Sequence, residues 1–228
     1  MSKSDATAES PQPAPPVDDA GSDEILRLAA RLMRKQGLAR TTMEQVGAAA
    51  GVDRATLHRC YGSKERLVEA IFGEVVRRLQ AGDSGPWHGY GAGFRRLLAA
   101  ARAFEDGYIL LVRDGCQLPA YQGFAAALRA RTARKLRHLL WFPERPPPRA
   151  ETPALLGLAL ESMISFSNDA LAYWVELGTP DRDEQYVRWC GQMMRSWRHN
   201  TAELLNLDTP EVDWPFDTEN RRPLAWPD

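Results

Sequence analysis

At 228 residues with 44% hydrophobic side chains, the chain is long enough to form one or two compact units around a proper core. Charged residues break every apolar run well short of a bilayer span, and the N-terminus lacks a basic-then-apolar leader, so the sequence predicts a cytoplasmic protein with no membrane attachment. The formal net charge of -1 hides an uneven distribution: Ser22 to Gln80 carries eleven Lys or Arg against seven Asp or Glu (11 - 7 = +4), while both ends are acidic.

In chain order, residues 1–21 are rich in Pro, Ala, Ser and Asp, and are expected to form a disordered tail because they offer little apolar surface to offset the entropy of ordering. Ser22 then reads as an N-cap, with Asp23 and Glu24 in the first turn. Ile25, Leu28, Ala29, Leu32 and Met33 recur at helical spacing up to Gly37, which predicts a first helix over 23–36. The string Thr42-Met43-Glu44-Gln45 fits a capping box and opens a second helix over 43–50. Gly51 supplies a sharp turn, and a third helix follows over 54–61. Ser63 caps a fourth, in which Leu67, Val68, Ile71, Val75 and Leu79 keep the period.

Glycines and Pro86 concentrate in 81–93, which reads as a flexible connection between a domain at 22–80 and a second at 94–205. Helical patterns in the second run over 94–105, 107–113, 119–141, 152–177 and 181–205, and no segment reads as a strand. Tyr186, Trp189, Cys190, Met193, Trp197, Thr201 and Leu204 share one broad face that is expected to be buried. Residues 206–228 form an extension with no evident fold. The fold class is therefore all-α, with a three-helix N-terminal domain joined through helix four to a larger helical domain.

Two short helices about a tight Gly turn are the geometry that sets a second helix in the DNA major groove. The run from Thr41 to Glu65, with its double threonine, Ala49-Ala50-Gly51-Val52 turn, Ala55-Thr56-Leu57 core and Tyr61-Gly62-Ser63-Lys64-Glu65 entry to helix four, resembles the signature of the tetracycline-repressor (TetR) family. The resemblance implies a homodimeric transcription regulator, most often a repressor, that leaves its double-stranded operator DNA when a small effector enters the second domain.

Under this reading Thr41, Thr42 and Lys64 meet the DNA backbone, whereas Arg54, Ala55, Thr56, His58 and Arg59 face bases or adjoining phosphates. His58 and Cys60 depart from the family pattern, and Cys60 is left outside the site as a thiol expected to be partly buried. Phe94, Phe104, Tyr108, Phe124, Trp141, Met163, Phe166, Asn168, Tyr173 and Trp174 are the candidate effector contacts, and their composition suits a lipophilic acyl, lactone or aromatic compound. The alternative is a DNA-binding dimer controlled by a protein partner or by no ligand. No enzyme and no cofactor are expected, because His58, His88, His138 and His199 are scattered and Cys60, Cys116 and Cys190 show no disulfide or metal spacing.

Overall fold

A computed structural model describes residues 19–83, 89–140 and 153–204, and among these every regular element is helical. Helix α1 spans Asp19–Gln36, α2 Met43–Ala50, α3 Arg54–Tyr61 and α4 Lys64–Asp83. The larger unit contains α5 (Tyr90–Arg102), α6 (Glu105–Ile109), α7 (Gln122–Leu140), α8 (Pro153–Leu177) and α9 (Asp183–Leu204). The expected tail and extension lie outside the described residues, apart from the first turn of α1. No described helix is long and apolar enough to cross a membrane.

The start of α1 corrects the sequence reading. Ser22 lies inside the helix rather than at its cap, and its hydroxyl pairs with the Tyr61 hydroxyl at 3.1 Å, tying α1 to the end of α3. Ile25, Ala29, Ala30 and Met33 bury the inner face of α1 against Val46, Leu57, Leu67, Val68 and Ile71. At roughly 1.5–3 kcal/mol per large side chain, such burial accounts for most of what holds these short helices together.

The expected connection at 81–93 is also revised, since α4 continues through Gly82 and α5 begins at Tyr90 with Gly91 and Gly93 in its first turn. The breakers serve packing. A Cβ on Gly82 would sit 3.1 Å from both the Ala100 Cβ and the Arg96 carbonyl, so its absence lets α4 and α5 approach closely. Only 84–88 of this stretch lie outside the described residues.

The expected helix over 107–113 proves irregular. After α6 the backbone widens into a π turn over Leu110–Asp114, with the Gly115 amide donating back to the Leu110 and Leu111 carbonyls, and two 3-10 turns lead into α7. Beyond it, Arg102 clamps α5 to the α8–α9 connection by donating to the Gly178 carbonyl at 2.9 Å and the Asp183 carboxylate at 3.0 Å. The broad face expected to be buried on α9 is only partly so: Tyr186, Cys190 and Thr201 are buried, but Trp189 is 52% exposed.

Candidate functional site

The first candidate surface is built by two caps and a turn. Thr42 accepts from the Gln45 amide at 3.3 Å while Gln45 returns its side-chain oxygen to the Thr42 amide at 2.9 Å, which closes the capping box at the start of α2. Gly51 ends α2 with φ +67°, in the left-handed region where glycine is unstrained. Asp53 caps α3 by accepting from the Thr56 amide at 2.6 Å, and that bond holds the Asp53 carboxyl below its usual range. A Cβ on Gly47 would lie 2.8 Å from the Val52 carbonyl, so glycine there fixes how tightly α2 and α3 fold together.

With Leu57 fully buried, α3 turns Arg54, Ala55, His58 and Arg59 outward. Thr42 is exposed beside them, and Lys64 is half-buried at the head of α4. Thr41 and Thr56 leave the expected set. Thr41 is 1% exposed and donates its hydroxyl to the Gly37 carbonyl, and Thr56 is 2% exposed and accepts from Arg59 at 3.1 Å. A sequence string does not reveal which side of a short helix its neighbours cover, so both read as surface groups in sequence. Cys60 is exposed rather than partly buried.

Two partners were missed. Arg54 forms a 2.7 Å ion pair with Glu44 of α2, and Lys64 donates to the Ala39 carbonyl of the α1–α2 turn at 3.0 Å. The Glu44 carboxyl is held below its usual range by its own backbone amide, then by the Thr42 hydroxyl and the Arg54 charge. An acid ten residues before an arginine gives no local periodic signal; the pair exists only because the turn folds α2 across α3.

The second candidate site is a cavity of ≈ 260 Å³ in the larger unit. Leu79 of α4, Phe94 and Leu97 of α5, Tyr108 of α6, Leu111 of the π turn and Met194 of α9 form much of its apolar wall. Of the expected effector contacts, Phe94, Tyr108 and Asn168 line it. The others pack elsewhere. Phe104 lies between the Arg27 and Arg78 guanidinium groups, 5.9 and 5.3 Å from its ring centre, and Phe124 meets Phe72 edge-on at 5.9 Å. Met163 is buried in the core, and Phe166 packs against Trp189 and Trp197. Tyr173 is 61% exposed, whereas Trp174 stacks on Tyr186 and donates to Asp183 at 2.7 Å. Trp141 lies outside the described residues.

The cavity also contains polar groups that sequence reasoning passed over, namely Arg113, Arg129, Arg131, Thr132, Ser167 and Asp169. Burial pushes the Tyr108 hydroxyl well above the usual tyrosine range and the Tyr90 hydroxyl up to about 12, so both remain neutral donors at physiological pH. Among the described residues no group of three or more His, Cys, Asp or Glu converges as a metal site.

Comparison with known proteins agrees with this geometry. The family model for bacterial regulatory proteins, tetR family, matches residues 25–71, from the core of α1 into α4. No curated protein matches the chain. Among solved structures, a TetR-like transcriptional regulator from Rhodococcus sp. RHA1 superposes with TM-score 0.61 at 16% identity, covering 82% of this chain and 97% of that one. A regulator solved with isovaleryl coenzyme A and operator DNA gives TM-score 0.54 at 17% identity, covering 76% and 97%. A ketosteroid transcriptional regulator of Mycobacterium tuberculosis gives 0.53 at 14%, covering 80% and 95%. Residues 25–71 thus carry a helix-turn-helix of the tetR-family type, and the chain as a whole shares the all-helical fold of these regulators.

Proposed function

We propose that the protein is a homodimeric, cytoplasmic repressor that leaves its operator when a small, largely apolar effector fills the cavity of the larger unit. One observation carries this reading. Helix α4 has Lys64 at the end beside the helix-turn-helix and Leu79 in the cavity wall, so a single rigid element about 22 Å long between those residues joins the two candidate sites. A ligand that fits only one tilt of α4 changes the spacing of two recognition helices, provided its affinity differs between the two states.

In this reading Thr42 and Lys64 hold phosphates, while Arg54, Ala55, His58 and Arg59 read the major groove. Dimerisation is supported by an apolar stripe along α8. Leu155, Leu158, Tyr173 and Leu177 are 55%, 64%, 61% and 64% exposed, and their spacing sets them on one side of the helix. The neighbours solved with isovaleryl coenzyme A and described as a ketosteroid regulator support a ligand-responsive reading.

The test begins with selection of bound fragments from the source genome, followed by mobility shift on the selected site. We expect a near-palindromic site, a dimeric mass in solution and release of DNA by compounds that raise the melting temperature. A monomeric mass at micromolar concentration, or no stabilising compound across a chemically broad library, overturns the corresponding half of the proposal.

A further inference from the structure

Charge in the cavity is one-sided. Three arginines, Arg113, Arg129 and Arg131, and one acid, Asp169, line it, giving 3 - 1 = +2 among the described residues. They come from three elements, the π turn, α7 and α8. Each arginine has a partner: Arg129 pairs with Glu161, Arg131 donates to the Gln80 carbonyl at 3.1 Å, and Arg113 meets Glu176 at 3.4 Å. The Arg113 pair is the long one, and 42% of the Arg113 side chain is accessible, so this contact is cheap to exchange.

Two polar groups share the cavity with Arg113. The Tyr108 side chain is 3% exposed and lines the cavity, with Arg113 and Asp169 as the charges acting on its hydroxyl. Asn168, one residue before Asp169, lines the same space. The neutral Tyr108 hydroxyl and the Asn168 amide are donors that a ligand acceptor can meet. The rest of the wall is aliphatic or aromatic. The cavity of ≈ 260 Å³ suits a small molecule.

The geometry points to a small apolar carboxylate, whose carboxylate takes Arg113 from Glu176 and accepts from the Tyr108 hydroxyl and the Asn168 amide. This rests on the cavity being an effector site and narrows the chemical class of that effector. The exchange also reaches the DNA-binding unit. Glu176 is shared with Arg34 of α1 at 3.8 Å, and Arg34 also meets Asp106 of α6 at 3.1 Å. Once Arg113 turns to the ligand, Glu176 is left to Arg34, and the charge contacts between α1, α6 and α8 are redistributed. No covalent step is involved.

Binding of hexanoate, octanoate, decanoate and 4-phenylbutyrate, each beside its primary amide, is measured by calorimetry on the full chain. The wild-type protein should bind at least one acid about tenfold more tightly than its amide, with the preference weakened by salt. Arg113→Gln, its fold checked by thermal melting, should reduce that acid to the affinity of the amide. Glu176→Gln removes the competitor and should tighten the acid by about two- to fivefold, a gain that a purely structural glutamate would not produce. If amides bind as well as acids, or if Arg113→Gln keeps the preference, the carboxylate assignment is overturned while the effector cavity stands. Failure of Glu176→Gln to tighten binding overturns the exchange. If neither acids nor amides bind, both the carboxylate assignment and the effector reading fall.

Discussion

The helix-turn-helix unit and the cavity unit are both helical, but they are specified in different ways. In the first, short-range devices set the geometry: the Thr42–Gln45 box, the Gly51 turn, the Asp53 cap and the Gly47 approach all act within a dozen residues. In the second, contacts between distant segments do so, as where Arg102 joins α5 to the α8–α9 connection and Arg34 joins α1 to α6 and α8. Local specification leaves few alternative packings. Long-range specification leaves room for a cavity and a π turn, the kinds of irregularity that tend to occur at functional sites.

Core truncation should break this comparison most visibly. Leu57→Ala removes a fully buried side chain between tightly set helices and should cost about 3–5 kcal/mol, read from the denaturant midpoint. Leu171→Ala, in a wall that already borders empty space, should cost nearer 2 kcal/mol, because fewer neighbouring atoms lose contact. Equal losses would mean that the cavity is closed up in solution. Next in size, Arg54→Ala should weaken operator binding by about 1–3 kcal/mol and alter the selected base at one position, whereas Lys64→Ala should weaken all sites alike and lower the salt slope by about one. An unchanged selected motif after Arg54→Ala would remove it from the reading set.

Thr42→Ala deletes half of the capping box and should cost about 1 kcal/mol of stability in addition to any phosphate contact, which separate melting and binding measurements resolve. The smallest expected effect is a pH dependence at the joint between the units. For Glu74 the Arg77 hydrogen bond, and for Asp23 the bonds and charges of Arg27 and Arg78 acting against burial, hold the carboxyl below its unfolded value. Such groups contribute stability that is fully present above the ordinary carboxylate range and is lost as pH falls through the folded values. Melting between pH 6 and about pH 3 should therefore decline less steeply in an Asp23→Asn, Glu74→Gln variant than in the wild type. A parallel decline would place the acid sensitivity elsewhere.

The same contrast explains what was legible in the sequence. Helices α2 and α3 match their expected limits because their start and stop signals are chemical and local. Thr41 and Thr56 misled because a threonine string carries no sign of which neighbour will cover it. In the larger unit, size and aromaticity selected Phe104, Phe124, Phe166 and Trp174, all of which pack against other residues, since any core needs such side chains. The arginines of the cavity went unnoticed because Arg113 belongs to the π turn and Arg129 and Arg131 to α7, and their convergence on one space exists only in the folded chain.

His58 departs from the family pattern, and its surroundings restrict what it offers. Its Nδ1 lies 2.7 Å from the Gly62 carbonyl oxygen, which can only accept, so the ring proton of neutral His58 belongs on Nδ1. The outward Nε2 is then a bare lone pair. Under the proposed DNA-bound arrangement, a neutral histidine of this tautomer would favour hydrogen-bond donors, which in the major groove means the amino groups of adenine or cytosine, over the acceptor edge of guanine. The glycine that ends α3 thereby sets the polarity of a side chain one helical turn away.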